Sequence, residues 1–251
     1  MENYTFIQTM PLEKEYALFQ EVVNHLYKKN SPRFILGNEP SNLFLKNCYV
    51  LLKNNVPVGR FAFYNNPNLL YKNSTACCIG SYECENNIKT SGILIRKAKE
   101  LALSKGYFWL IGPMEGSTLS TYRFSLHHDT NPIFLEPYHH LYYNSQFSQS
   151  GFKPIHNYVS QLVSTNICDE ELIREIEHKN QLNGYTFRNI ELENYENELR
   201  KIARLSLSGF ESNFLFTPIS EEDFMSKYLP IKEYLKEEFI LMIENEHKEL
   251  E

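Results

Sequence analysis

The chain has 251 residues, a net charge of −6, 42% hydrophobic and 22% charged residues, a composition typical of a globular protein that buries a core. Its basic residues are scattered among acidic ones, so nothing indicates the Lys and Arg cluster that binds nucleic acid phosphates. Its five cysteines show no C-x-x-C spacing, and neither a signal pattern nor an apolar run near the roughly 18 residues of a bilayer span is present. We therefore expect a cytoplasmic protein without a metal site, a nucleic acid partner or a membrane anchor, and leave its oligomeric state open.

The N-terminal part of the chain alternates between strand and helix patterns. Residues 3–9 alternate like a strand, and residues 12–29 carry apolar side chains at helical spacing. Residues 48–53 and 57–64 are typical of two antiparallel strands that are joined at an Asn-Asn turn.

The centre of the chain continues this alternation. Residues 74–84 indicate a strand, and Asn87 is a suitable N-cap for a helix that reaches about residue 104. The wholly apolar run at 107–111 predicts a strand at the centre of a buried sheet. The polar segment 112–136 is long for a plain connection, which indicates a functional loop or a lid.

A helix at 138–148 and a strand at 158–163 complete this part. The whole order predicts a mixed sheet with helices on both faces.

Three short motifs accompany the element order: P-V-G-R at 57–60, G-P-M-x-G-S at 112–117 and F-x-x-x-G-F at 147–152. Together with that order, they resemble the GNAT (N-acetyltransferase) superfamily, and the second motif resembles a poorly characterised GNAT-like subgroup. The resemblance covers about residues 1–165. It implies an α/β (α+β) fold with a mixed, mostly antiparallel sheet that is flanked by helices.

The rest of the chain, 166–251, allows two interpretations. A strand pattern at 184–192, helix patterns at 193–207 and 224–235, and a strand pattern at 238–243 repeat the beginning of the first part. The segment is either an incomplete second GNAT-like unit or a C-terminal extension that covers one face of the first domain.

The resemblance implies acetyl-CoA as the acyl donor. In the superfamily the donor's pyrophosphate lies on backbone N–H groups at the start of the long helix, where free amides and the helix dipole favour a phosphate. The matching stretch here lacks the usual Gln or Arg and has one glycine; its candidate ligands are Lys89, Thr90, Ser91 and Gly92. A capped helix start without a ligand is the alternative. The pantetheine arm would pair with the preceding strand at Ser81, Tyr82 and Cys84.

The catalytic positions implied by the resemblance are altered. Phe147 stands where many GNAT enzymes carry a proton-donating Tyr, so Tyr142 or Tyr143 would have to replace it; aromatic residues there also suit a core. Glu83 is the candidate general base, with Glu85 on the same strand face. A solvated carboxylate at a strand end is the alternative.

The polar segment supplies the candidate acceptor-binding residues Glu115, Ser117, Tyr122 and Arg123. The guanidinium of Arg123 is suited to a substrate carboxylate, because it donates in a fork to two oxygens. His127, His128 and Asp129 are adjacent in sequence, and adjacent side chains rarely converge on one metal ion.

Two functions therefore remain from the sequence. The first is an acyltransferase that moves an acetyl or other acyl group from acyl-CoA to an amine of a small molecule or peptide. The second is a catalytically degraded GNAT-fold protein that binds a ligand or a protein partner.

Overall fold

The computed structural model describes residues 2–34, 39–128, 136–161 and 169–251. The chain folds into two compact units: Met1–Ile155 with Phe214–Thr217 form the first, and His156–Asn213 with Pro218–Glu251 form the second. The boundary expected between residues 165 and 166 falls outside the described residues and stays a prediction.

The first unit is built on one mixed sheet. Its strands are β1 (Tyr4–Thr9), β2 (Leu45–Lys53), β3 (Val56–Tyr64), β4 (Leu70–Tyr71), β5 (Ser74–Cys84) and β6 (Trp109–Ile111). The order is β1-β2-β3-β5-β4 with antiparallel neighbours, and β6 pairs with β5 in parallel. The expected fold class, a mixed and mostly antiparallel sheet, is confirmed.

Helices cover both faces of this sheet because the strand side chains alternate between two apolar clusters. On one face α1 (Tyr16–Leu26) packs Phe19 and Val22 against the sheet, and on the other lie α2 (Ile88–Ser104) and α3 (Tyr142–Gln149). The adjacent Cys77 and Cys78 fall into different clusters, as strand alternation requires. Both thiols are buried, and neither forms a disulfide.

Strand β6 leaves β5 after only three paired residues. Its register joins Ala76 to Trp109 and Cys78 to Ile111, and β5 continues without it to Cys84. A bulge marks the separation, since the β3–β5 register shifts between Arg60 and Ala62 and Ser81 has a φ of 47°. The two strands therefore diverge beyond Cys78.

Several predicted elements differ from those observed. Helix α1 begins at Tyr16 rather than at residue 12, because Leu12 has a positive φ of 79° in a fully exposed turn. Strand β6 is shorter than 107–111 and, among the described strands, pairs with β5 alone, so it lies at an edge of the sheet rather than at its centre; Phe108 is 72% exposed. Helix α3 begins four residues later than residue 138. Of the strand predicted at 158–163, residues 158–161 are not in a strand and the last two lie outside the described residues.

The second unit contains α4 (Glu170–Leu182), β7 (Thr186–Asn189), α5 (Tyr195–Gly209), α6 (Glu221–Tyr228) and β8 (Leu241–Glu244). Strands β7 and β8 pair antiparallel. The guanidinium of Arg188 donates to the carboxylates of Glu198 at 2.5 Å and Glu244 at 2.6 Å, which ties β7 to α5 and β8. Both interpretations of this part, an extension and an incomplete second unit, stay open.

Gly80 allows the segment after β6 to approach the bulged end of β5. A Cβ atom at this position would lie 2.6 Å from Cγ of Glu115 and 2.9 Å from the carbonyl of Met114. We therefore expect Gly80→Ala to destabilise the first unit by about 1–3 kcal/mol, the usual cost of overpacking. Urea unfolding followed by fluorescence of the single Trp109 measures the effect, because this residue lies in the first unit.

The matched control is Gly92→Ala. No atom lies within 4 Å of a Cβ at this helical position, so this variant should gain up to about 1 kcal/mol from helix propensity. Equal stability of Gly80→Ala and the wild type would contradict the close approach.

Candidate functional site

A cavity of about 80 Å³ lies beside the bulged end of β5. Three parts of the chain surround it: the end of β5, the segment after α1 and the segment that follows β6. Its charged lining residues are Arg33, Glu39, Glu83, Glu115 and Arg123. The first unit thus holds a small pocket in which carboxylates outnumber guanidinium groups.

Glu83, on β5, is the most extensively bonded carboxylate of the cavity. Its Oε1 accepts a hydrogen bond from Nε of Arg33 at 2.7 Å, and the Glu83 side chain is only 3% exposed. Its Oε2 accepts from the hydroxyls of Tyr143 at 2.7 Å and Tyr27 at 2.9 Å. Burial, followed by the Glu83 charge, raises the pKa of both tyrosines, which keeps the hydroxyls protonated as donors.

Glu115 is the second buried carboxylate. Its Oε1 accepts from the hydroxyl of Ser81 at 2.5 Å, and its Oε2 accepts from the backbone N–H of Ser41 at 2.9 Å. Burial raises the pKa of Glu115 above its usual range, although these two donors and the nearby Arg60 act in the opposite direction. Glu83 and Glu115 therefore share one cavity but differ in their partners.

Side chains of α3 occupy the edge of β5 that β6 leaves open. The hydroxyl of Tyr142 donates to the carbonyl of Cys84 at 2.9 Å, and the N–H of Cys84 donates to the hydroxyl of Tyr143 at 3.4 Å. One turn further along, Nε2 of Gln146 donates to the carbonyl of Glu85 at 2.8 Å. The backbone groups with which a pantetheine arm would pair are therefore already bonded within the chain.

An aromatic stack holds Tyr142 in this place. The ring of His140 stacks between those of Tyr27 at 4.3 Å and Tyr142 at 4.9 Å. Nε2 of His140 donates to the carbonyl of Leu26 at 3.1 Å, which ties the stack to the end of α1. Burial raises the pKa of Tyr142, so this hydroxyl stays a proton donor.

The start of α2 carries an internal cap. Oδ1 of Asn87 accepts from the N–H groups of Lys89 at 2.9 Å and Thr90 at 3.2 Å. The Thr90 hydroxyl donates to Glu85 at 2.5 Å, and the Lys89 ammonium pairs with Glu2 at 2.7 Å. Ser91 is buried, whereas the space next to Gly92 is open. A phosphate at this turn must therefore exchange with the Asn87 side chain.

The structure separates the four candidate acceptor residues. Glu115 and Arg123 line the cavity, and Ser117 and Tyr122 do not. The hydroxyl oxygen of Ser117 accepts from the N–H of Leu119 at 3.2 Å, within its own turn. Arg123 pairs with Glu136 at 3.6 Å, and its guanidinium lies 4.8 Å from the Tyr122 ring centroid. Asp129 lies outside the described residues.

Two of the other sequence candidates belong to the interior. Tyr82 and Cys84 are buried, and burial raises the pKa of the Cys84 thiol to about 12, so this thiol is no nucleophile at neutral pH. Phe147 packs against the rings of Tyr82 and Phe124 at 4.9 Å each. The Phe147 ring fills the core, and packing at this position does not require a hydroxyl group.

Sequence reasoning missed several residues of the site: Tyr27, Arg33, Glu39, His139 and Gln146. Each reaches β5 or the cavity across a long sequence distance, and none lies in a motif. Arg60, the last residue of the P-V-G-R motif, was also missed as a site residue. It is fully buried opposite Glu83 in the β3–β5 register, and its Nε and Nη2 atoms have no hydrogen-bond partner.

Two further features concern the described residues as a whole. They contain no group of three His, Cys, Asp or Glu side chains that could hold a metal ion. Within the same ranges, no helix combines the length and the apolar character that crossing a bilayer requires.

Comparison with known proteins gives only distant likenesses. No protein-family model matches the chain, and no curated protein matches it. Among solved structures, an aminoglycoside acetyltransferase from an uncultured soil metagenomic sample matches with a TM-score of 0.37 and 17% identity, over 64% of this chain and 99% of its own.

Two other acetyltransferases match at a similar level. Aminoglycoside N-acetyltransferase AAC(6')-Iy in complex with CoA has a TM-score of 0.40 and 11% identity, over 65% of this chain and 96% of its own. A ribosomal-protein-alanine N-acetyltransferase from Brucella melitensis biovar Abortus 2308 has a TM-score of 0.39 and 11% identity, over 64% and 100%. Likenesses of this size carry no argument about activity, and the fold class rests on the strand order and register described above.

The cavity also contains a histidine that is held neutral. The N–H of Ser125 donates to Nε2 of His139 at 2.6 Å, and Nδ1 of His139 donates to the carbonyl of His140 at 3.1 Å. Burial lowers the pKa of His139 from 6.5 to about 4. Between pH 6.5 and pH 4 the unfolded chain binds a proton at His139 that the folded chain does not bind. The free energy of unfolding therefore falls as the pH drops through this range, by about 3 kcal/mol in total.

We expect the loss of stability between pH 6.5 and 4 to be smaller in His139→Gln than in the wild type, whatever the difference at pH 7. Urea unfolding followed by Trp109 fluorescence at a series of pH values measures it. The control is His25→Gln, which removes an exposed histidine of α1 and leaves the cavity untouched. Parallel curves for His139→Gln and the wild type would show that this ring titrates normally.

Proposed function

We propose that the chain is an acyltransferase that moves an acyl group from acyl-CoA to a primary amine of a small molecule or peptide. The observation that carries the proposal is the small cavity with two buried carboxylates, Glu83 and Glu115, beside the strand edge that β6 leaves open. The cavity suits the acceptor, and the strand edge suits the donor.

Charge and size favour an ammonium group in the cavity. Of its five charged lining residues three are acidic, and Arg33 and Arg123 both pair with carboxylates. With the buried guanidinium of Arg60 near Glu115 counted as well, one negative charge remains, and it attracts a cation in a site of low dielectric constant. A volume of about 80 Å³ corresponds to two or three water molecules at about 30 Å³ each. This space suits a primary ammonium and the start of its stem.

The acyl-CoA donor can bind the edge of β5 by replacing hydrogen bonds that side chains of α3 make there. The Cys84 N–H and carbonyl both point to the open edge, where they are bonded to neutral hydroxyls of Tyr143 and Tyr142. A pantetheine amide offers the same donor and acceptor groups, so it replaces these bonds without leaving a backbone group unpaired. The open space beside Gly92 gives a phosphate access to the first turn of α2.

Acyl-CoA supplies a thioester, and the residues of the chain position the groups that react with it. The cavity carboxylates bind the acceptor, and holding amine and thioester together supplies much of the rate by proximity. When the pantetheine replaces Tyr142 at Cys84, the released hydroxyl is free to give its proton to the departing thiolate. Tyr143 lies behind Glu83 in the core and is the weaker candidate for this role.

One observation favours the second function, a binding module without catalysis. The two places where the donor would bind, the α2 turn and the β5 edge, are both occupied by side chains of the chain itself. A protein that has lost its donor site would show this pattern while it kept the acidic cavity for a cationic ligand. Donor binding and turnover separate the two functions. A cytoplasmic location stays a prediction.

The first test of the proposal is a thiol-release assay with acetyl-CoA and three amines: ethanolamine, 1,4-diaminobutane and glycinamide. We expect turnover with at least one of them and a decrease of about 10²-fold or more in Tyr142→Phe, the usual effect of losing a general acid. CoA should bind Tyr142→Phe at least as tightly as the wild type, because the hydroxyl that occupies Cys84 is gone.

The comparison variant is Tyr143→Phe, which removes a hydroxyl from the same helix but from the Glu83 network. It should lower stability more than Tyr142→Phe does, because it removes a buried donor from a carboxylate. Absence of turnover in the wild type with all three amines would favour the binding module. Turnover that is indifferent to both tyrosines would leave proximity as the mechanism.

The second test locates the pyrophosphate by calorimetric titration with CoA. Asn87→Gly frees the N–H groups of Lys89 and Thr90 and should tighten CoA binding several-fold, with little loss of stability, because Gly is a tolerated N-cap. Gly92→Val fills the open space and should weaken binding about tenfold or more, the effect of losing one charge-assisted hydrogen bond. Equal CoA affinity in the wild type and both variants would show that this turn is not the donor site.

A further inference from the structure

We propose that Glu115, rather than Glu83, takes the proton from the amine that enters the cavity. The inference rests on the proposed acyl transfer and assigns the general base of that reaction. Four observations lead to it: the partners of Glu83, the partners of Glu115, the backbone that holds Ser81, and the groups that face Glu115.

Glu83 is committed to a buried ion pair. Its partner Arg33 donates at 2.7 Å, and both side chains are largely buried. A proton on Glu83 would remove the negative charge that this carboxylate presents to the guanidinium, and breaking a buried pair in this way is strongly unfavourable. Two tyrosine hydroxyls already point to the other oxygen of Glu83. This carboxylate is therefore a poor place for a transferred proton.

Among the described residues, the hydrogen-bond donors to Glu115 are all neutral. They are the Ser81 hydroxyl and the Ser41 N–H, so its protonation breaks no direct ion pair. The hydroxyl of Ser81 both donates and accepts. It donates to the carboxylate and, after proton transfer, accepts from the carboxylic acid. The contact between Ser81 and Glu115 therefore persists in both protonation states.

The backbone holds Ser81 in an unusual conformation to make this contact. Its φ of 47° lies in the left-handed region, which non-glycine residues adopt only at an energetic cost. Gly80 next to it permits the close approach of Met114 and Glu115. Bulge and close approach together bring one strand residue and one loop residue to the same wall of the cavity.

Charged and titratable groups face Glu115 from several elements. Arg60 and Tyr64 lie on β3, Cys48 lies on β2, and Arg33 follows α1. Glu39, Glu83, Arg123 and His139 face it across the cavity. Arg33 and Arg60 favour the carboxylate and burial favours the acid, and burial outweighs them, so the pKa of Glu115 is raised. A raised pKa suits a general base that works near neutral pH.

The proton balance of the step is simple. The acceptor enters as an ammonium with three protons on nitrogen, and Glu115 takes the first of them. The free amine then forms the C–N bond to the acyl carbon as the C–S bond breaks. The second nitrogen proton goes to the thiolate, directly or by way of the Tyr142 hydroxyl. The products are an amide with one N–H and the CoA thiol, and Glu115 returns its proton to solvent.

The experiment is the pH dependence of kcat/KM between pH 5 and 10 for the amine with the highest turnover in the panel, at saturating acetyl-CoA. Wild type should show an acid limb, along which the rate rises as Glu115 loses its proton. Glu115→Gln should lower kcat/KM by about 10²-fold or more and remove that limb, with CoA affinity unchanged. Glu83→Gln should keep the limb, whatever its effect on stability.

The matched control is Glu100→Gln, an exposed position on α2, which should behave as the wild type. If Glu115→Gln does not fold, as judged by Trp109 fluorescence, Glu115→Asp takes its place; it should keep an acid limb at a shifted pH and a reduced rate. An acid limb and a rate like those of the wild type in Glu115→Gln, or an unshifted limb in Glu115→Asp, would overturn the assignment and leave acyl transfer standing. Absence of turnover in the wild type would overturn both.

Discussion

The candidate site depends on the divergence of β6 from β5. The two strands share only three residue pairs before the bulge at Ser81, and beyond that point no strand of the described residues pairs with this edge of β5. Backbone groups in a protein interior require partners, so the chain must supply them from elsewhere. Side chains of α3 satisfy this requirement at Cys84 and Glu85, and the segment after β6 turns away to form one wall of the cavity.

The same divergence explains why charges are buried here. Where a neighbouring strand would have covered the end of β5 with apolar side chains, the space contains Glu83, Glu115 and Arg33 instead. Isolated buried charges are costly, and the chain limits that cost by pairing Glu83 with Arg33 and by giving Glu115 two neutral donors. Arg60 does not follow this rule, since two of its nitrogens have no partner. Such an arrangement is a poor design for stability alone, which is consistent with a functional role for the carboxylates.

The sequence predicted the elements whose signals are local. Strand β5 has the predicted bounds, and Asn87 caps α2 as expected. The predicted start of α1 at residue 12 was wrong, because Leu12 continues the apolar spacing but lies in a turn. The fold class followed from the element order. Periodicity does not show which strand lies at the edge of a sheet. For this reason the apolar run at 107–111 was wrongly predicted at the centre of the sheet.

The candidate site could be predicted only in part, because sequence patterns report local signals. Glu83 was a candidate because the resemblance implied a general base on this strand, and Glu115 because it lies in the long polar segment; both line the cavity. Their different partners could not be inferred, because Tyr27 and Arg33 reach Glu83 from 56 and 50 residues away in the chain. No periodicity or motif connects residues at such distances. Only tertiary packing decides which carboxylate is paired with a cation and which is not.

Helix α3 shows how one short helix serves both the core and the open edge. Tyr143 and Phe147 are four residues apart and face the core, whereas Tyr142 and Gln146, also four apart, face the end of β5. The Phe at position 147 is therefore a packing residue, and its lack of a hydroxyl says little about the proton donor, which would come from the other face. The hydrogen bonds from Tyr142 and Gln146 to β5 oppose donor binding, since each bond that must be exchanged is worth about 0.5–1.5 kcal/mol. The pantetheine re-forms the bonds at Cys84, so the net cost is small there, whereas Gln146 stays in place beside Glu85. An acyl donor would therefore bind an edge of β5 whose backbone groups already form hydrogen bonds of a kind that the donor can replace.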